Sequence, residues 1–110
     1  MRPPLWWRRF KALALPPRRL KVVEGDSLPP QLPRRNIVLA RDGDEDWCVG
    51  MRCPCGCGRP IELLVAQGIA PRWDICVDDC GRPSMKPSIF LQSGCRSHFW
   101  LTRGRIRWCD

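Results

Sequence analysis

The sequence predicts a mainly β fold: one small domain built of short antiparallel strands. Three observations predict it. Beyond residue 40 the apolar residues fall in short runs bounded by glycine, proline and aspartate, which is the spacing of strands. One of these runs alternates cleanly, with Trp73, Ile75 and Val77 on one face and Asp74, Cys76 and Asp78 on the other. Finally, 110 residues leave room for a single thin core, and eight cysteines are available to staple it.

Two segments divide the chain. Residues 1–35 form a basic, proline-rich arm, and residues 36–110 a cysteine-rich β domain. Prolines at 3–4, 16–17, 29–30 and 33, together with "EGDS" at 24–27, predict an irregular arm. Its regular structure is at most a short strand at "LKVV", with a second at "NIVLA" where the domain begins. "RDGDED" (41–46) then reads as a polar turn, and "WCVGM" (47–51) as a strand entering the cysteine stretch. "IELLVA" (61–66) and "RWDICVD" (72–78) follow as strands, and "DDCGRPS" as a turn. "SIFLQ" is a strand led by Pro87, and "HFWLTRGRIRWC" a hairpin turning at Arg103 and Gly104.

Charge separates the two segments further. The chain carries a net charge of +8, and seven Lys or Arg with no acid fall within residues 1–23. The remainder holds twelve basic against eleven acidic side chains and is close to neutral. Trp6, Trp7 and Phe10 are interleaved with arginines in the arm, a pattern compatible with an anionic surface or nucleic acid. A solvated arm whose aromatics pack on the domain is the simpler account, so nucleic acid is not expected as a partner. No apolar run approaches the ~20 residues of a membrane span, and no signal-peptide core is visible. A cytoplasmic protein with reduced thiols is the expectation, which favours metal over disulfides.

The thiols that would bind this metal are concentrated in "CPCGCG", residues 53–58. Two cysteines at alternate positions chelate one ion when the backbone between them turns sharply, and Gly56 and Gly58 permit such a turn. Forty residues on, "CRSH" brings Cys95 and His98 to one side of a second turn. Zinc takes four nitrogen or sulfur ligands. Five donors compete for those four positions: Cys53, Cys55, Cys57, Cys95 and His98. Taking Cys55, Cys57 and Cys95 as three ligands, the fourth is Cys53, or His98 in its place. A zinc-ribbon-like site is the leading reading. A Rieske-like iron–sulfur centre is the alternative, although Cys57 stands where that pattern expects histidine. Cys48, Cys76, Cys80 and Cys109 have no matching knuckle and read as small hydrophobes or exposed thiols.

If the metal does not take His98, the imidazole is free as a base. It is the only histidine in the chain, and candidate serines are Ser84, Ser88, Ser93 and Ser97. Ser97 is adjacent in sequence and so faces away. Ser88 lies on a strand separated from His98 only by the turn "QSGCRS", and strand pairing would bring the two together. Asp74 or Asp78 could then orient the imidazole. On the residues alone, a hydrogen-bonded Ser88 and a metal-bound His98 remain the simpler reading.

The combination "CPCGCG", "RW", "KPSI", "GCRSHFWL" and "GRIRW" resembles a family of small bacterial proteins long labelled a domain of unknown function. Its members occur in bacterial conjugation operons, beside genes for ubiquitin-like proteins and their E1-like and E2-like enzymes. The resemblance covers residues 47–109. Some members carry a histidine two residues before the first cysteine; Met51 occupies that position here and cannot be a ligand of that kind. The resemblance implies a ubiquitin-like partner and a peptidase step that trims the modifier or removes it from targets. Carried onto this chain, it implies Ser88 as nucleophile and His98 as base, with the cysteines holding the metal. Two other functions are compatible with the residues: a non-catalytic zinc-ribbon adaptor that binds the modifier or its E1/E2-like enzymes, and an iron–sulfur redox protein.

Overall fold

The computed structural model describes residues 4–109, apart from the side chain of Ala12, so the outermost residues of both predicted segments lie outside the described residues. It contains one helix, α1 (Leu5–Ala14), and eight strands. The strands are β1 (Leu20–Glu24), β2 (Ile37–Asp42), β3 (Glu45–Arg52), β4 (Pro60–Leu64), β5 (Asp74–Val77), β6 (Pro83–Phe90), β7 (His98–Thr102) and β8 (Arg105–Trp108). They form two four-stranded sheets, in the orders β1-β2-β3-β4 and β5-β6-β7-β8. The chain is mainly β, as expected, and every pairing is antiparallel except that of β1 with β2, which is parallel.

Alternation decides which side chains are buried. Ile61 and Leu63 of β4, and Phe99 and Leu101 of β7, face inward, while their neighbours face solvent. Together with Ile37, Leu39, Val49, Met51, Met85, Ile89 and Ile106 they form one apolar cluster shared by both sheets, and Cys53 and Cys55 belong to it. β2 is buried on both faces. Its second face is covered from the 25–36 segment: a Cβ at Gly50 on the neighbouring strand would come within 2.7 Å of Leu28. Gly50 therefore permits that segment to lie flat on the sheet.

The helix departs from the irregular arm that the prolines predict. Leu5–Ala14 is rich in residues with good helix propensity and is bracketed by Pro3-Pro4 and Pro16-Pro17. The Pro4 carbonyl accepts hydrogen bonds from the N–H groups of Trp7 and Arg8. The helix docks by its Arg8 guanidinium, 4.4 Å from the centre of the Trp108 ring. Trp6 and Phe10 do not pack on the domain; they remain exposed. After the helix, Arg18 N–H donates to the Gly104 carbonyl at 2.7 Å and Leu20 N–H to the Gly81 carbonyl at 2.9 Å. These bonds tie the arm to turns of the second sheet.

β6 also differs from expectation. It begins at Pro83, not Pro87, and the register with β7 shifts between Met85 and Ile89. Proline lacks the N–H a regular ladder requires, and a bulge is where a strand accommodates it. The hairpin turn at Arg103 and Gly104 is as read from the sequence, with both residues at positive φ.

Candidate functional site

Two constellations meet at the start of β7. The first is sulfur-rich. Cys53 ends the run out of β3, with its N–H bonded to the Arg59 carbonyl at 2.7 Å. The chain bends back at Gly56, where φ is +101°. That bend turns three alternate cysteines toward one point, which an extended backbone would not do. The loop before β7 supplies Cys95. The sulfurs of Cys53, Cys55, Cys57 and Cys95 all lie within 4.8 Å of one another. Individual separations are 3.4 Å for Cys53–Cys55, 3.5 Å for Cys53–Cys95 and 3.9 Å for Cys57–Cys95. Sulfurs at ~2.3 Å from a tetrahedral zinc stand roughly 3.8 Å apart, so the donor set fits one ion of that size.

Ser97 completes this site from within. It is fully buried, and its Oγ lies 3.4 Å from Cys53 Sγ and 3.2 Å from Cys95 Sγ. Burial pushes the Cys95 thiol up, but the Ser97 hydroxyl and backbone N–H pull it down further, to about 6. Burial dominates at Cys53 and raises its thiol well above the ordinary range. Cys57 is raised by the same cause. With Cys95 held down and Cys53 and Cys57 pushed up, a cation bound here would displace protons from Cys53 and Cys57.

The second constellation faces outward from the second sheet. β7 pairs with β6 so that His98 stands opposite Phe90. Ser88, two residues earlier on the same strand, brings its Oγ to 3.0 Å from His98 Nε2. The Phe90 ring stacks on the imidazole with centroids 4.6 Å apart. Backbone ties hold both residues: Trp73 Nε1 donates to the Ser88 carbonyl at 3.4 Å, and Cys109 N–H to the His98 carbonyl at 2.9 Å. His98 is not in the four-thiol group; its Nε2 is turned to Ser88.

The other candidates lie elsewhere. Asp74 pairs with Arg72 at 2.8 Å, and Asp78 binds Arg82 and the Cys80 N–H, so neither aspartate hydrogen-bonds His98. Ser84 Oγ accepts from the Arg103 N–H, and Ser93 is engaged by Arg59. Cys48 is buried, Cys76 and Cys80 are exposed and Cys109 is half-buried, all outside the thiol group. Two residues were missed as parts of the site, Ser97 as a partner of the thiols and Phe90 as a wall for the imidazole. Alternation carried a signal for both, because Ser97 must face opposite to His98 and Phe90 must share a face with Ser88.

These two constellations are joined through one peptide bond. Ser97 points into the thiol cluster and His98, the next residue, points out to Ser88. The model of a family described as bacterial ubiquitination-like system serine protease (BubE) matches residues 24–109. The chain belongs to this family. The match takes in both constellations and all eight strands except most of β1; the helix precedes it. No curated protein and no solved structure matches the chain. Among the described residues, no helix is long and apolar enough to cross a membrane.

Proposed function

We propose that this chain is a serine-type peptidase that processes or removes a ubiquitin-like modifier, acting in the cytoplasm alongside E1-like and E2-like enzymes. Ser88 is the nucleophile and His98 the base. The observation that carries this reading is the 3.0 Å contact between Ser88 Oγ and His98 Nε2 on an exposed sheet face, in a chain of a serine protease family.

The chemistry follows from that contact. With its hydrogen on Nδ1, the imidazole accepts the Ser88 proton at Nε2 as Oγ attacks the carbonyl that ends the modifier's tail. The C–N bond breaks, the imidazolium returns the proton to the departing amine, and the acyl group stays on Ser88. Water then attacks the acyl carbonyl with His98 taking its proton, the bond from that carbon to Ser88 Oγ breaks, and the imidazolium returns the proton to Oγ as the modifier's carboxylate leaves. Orientation of the imidazole comes from the Phe90 stack and the backbone tie to Cys109 instead of from a carboxylate. Phe90, opposite His98 on β6, and Trp100, two residues along β7, are both exposed and offer apolar contact to an extended peptide.

Cys53, Cys55, Cys57 and Cys95 hold zinc in this reading. The metal contributes folding free energy and fixes the 91–97 loop that delivers His98. Sulfur separations suited to a single ion support zinc over a two-iron cluster, whose bridging sulfides require its ligand pairs to stand further apart. The placement of His98 beside Ser88, away from the thiols, supports it too.

The test is cleavage of a ubiquitin-like precursor bearing a short C-terminal extension, followed by mass spectrometry. Wild type should release the extension, and Ser88→Ala should not while retaining its metal. Cleavage by Ser88→Ala at the wild-type rate would refute the assignment. Binding of the precursor without cleavage by any form would favour the adaptor reading.

A further inference from the structure

Away from the Ser88–His98 face, a cleft of about 820 Å³ opens between α1, the 33–36 segment, the cysteine knuckle and β8. Six cationic side chains line it: Arg8, Lys11, Arg18, Arg34, Arg35 and Arg52. Among the described residues, no acidic residue does. The acids that form ion pairs among the described residues, Asp46, Asp74 and Asp78, are engaged by other arginines.

Arg18 is the informative member. Only 8% of it is exposed, and its Nε is buried with no hydrogen-bond partner among the described residues. Burial, and then the neighbouring charge of Arg35, push its pKa down to about 10. Among the described residues, Arg35 donates to the Pro16 carbonyl at 2.8 Å, and its Nε is likewise buried without a partner. Its own pKa is lowered by burial and by Arg105. Arg18 is thus a cation held away from water beside the like charge of Arg35, and native structures pair buried cations with something. A metal held by four thiolates has a formal charge of about −2, which offsets at most part of the charge of the six cations.

We propose that this cleft is a binding site for a small organic di- or triphosphate. Guanidinium groups match phosphate oxygens in a bidentate fork, and two that repel one another in the free protein become complementary once a multiply charged anion lies between them. The cleft falls in the roughly 300–1,000 Å³ range of small-molecule sites. Leu15, Ile106 and Trp108 give it an apolar wall for the organic part of such a ligand. The recessed position of Arg18, 8% exposed within the cleft, disfavours a duplex backbone, which meets exposed cations. Residues 4–23, which supply Arg8, Lys11, Leu15 and Arg18, precede the stretch matched by the family model. The site therefore depends on a segment of this chain that the model does not match.

The experiment is calorimetric titration of the metal-loaded full-length protein with ADP, inorganic pyrophosphate and sulfate at one fixed, near-physiological ionic strength. ADP should bind at one site, at least tenfold more tightly than sulfate, with pyrophosphate between them. Arg18→Gln and Arg35→Gln should each weaken ADP at least tenfold and leave the metal content unchanged. Arg18→Met should abolish binding and raise the melting temperature of the ligand-free protein, because it removes a buried unpaired charge. ADP binding no tighter than sulfate would overturn the proposal. So would a lower melting temperature for Arg18→Met, which would make Arg18 structural. Tighter binding of duplex DNA than of ADP, with affinity falling steeply in salt, would also overturn it in favour of a nucleic-acid backbone.

Discussion

Ser97→Ala removes one oxygen from the interior of the thiol cluster. Its Oγ lies 3.2 Å from Cys95 Sγ and 3.4 Å from Cys53 Sγ, and no part of the residue is exposed. Water cannot readily take its place. A hydrogen bond to a charged group contributes about 1.5–3 kcal/mol, and at 1.4 kcal/mol per decade this corresponds to roughly a 10–100-fold loss in metal affinity. Residues that support metal ligands in other proteins show losses of about the same size. The pH dependence should move as well. In wild type the Cys95 thiol is held down at about 6. In the metal-free protein this thiolate adds stability that is fully present above the unfolded pKa of ~8.5 and is lost as the pH falls through about 6. Without the hydroxyl the thiol titrates higher, so metal is released at a higher pH in the variant. Competition with a chromophoric chelator across pH 5.5–8.5 reads both effects. Ser93→Ala, whose hydroxyl accepts from Arg59 and not from the thiols, is the control. An affinity within threefold of wild type and an unmoved release midpoint would refute the view that Ser97 supports the metal site.

Chelation of the wild-type protein should remove about one zinc per chain. It should also lower the melting temperature sharply, since structural zinc supplies on the order of 10 kcal/mol in small modules; a brown, visibly absorbing protein would instead identify iron–sulfur. Phe90→Ala should keep its metal and melt nearly as wild type, because the ring is 51% exposed. Its cleavage rate should nevertheless fall roughly 2–10-fold, since stacked rings contribute about 0.5–1.5 kcal/mol to holding a partner; an unchanged rate would show that the stack does not position His98. Deleting residues 1–15 removes α1 and the Arg8–Trp108 contact while leaving the Arg18–Gly104 tie. At about 1 kcal/mol the melting temperature should drop by roughly 4–8 °C with metal content intact, and no change by calorimetry would show that the helix does not contribute to stability.

The knuckle was legible because its signal is local. Gly56 and Gly58 lie between the cysteines they bend, and the spacing of thiols is itself the chelate. The Ser88–His98 approach was legible for a related reason: a short connection between adjacent strands leaves few registers, and alternation fixes the face. What escaped was set at long range or by exception. The helix over Leu5–Ala14 carries its apolar residues outward, so periodicity gives no inward face to recognise. The parallel pairing of β1 with β2 needs a crossover whose path no turn residue announces. β6 runs through Pro87 because a bulge excuses the missing N–H. The convergence of Arg18, Arg35 and Arg52 on one cleft joins three segments far apart in the chain, and nothing in their individual surroundings foretells it.

The most direct measurement of the central claim is labelling of Ser88 by an electrophilic serine reagent, with intact-mass stoichiometry, in wild type and His98→Ala. Ser88 activated by His98 predicts near-complete single labelling at Ser88 in wild type. It predicts almost none in His98→Ala, with that variant still folded and carrying the wild-type amount of metal. Equal labelling of the two forms, or loss of metal from His98→Ala as from Cys95→Ser, would contradict the account and return His98 to the role of a ligand.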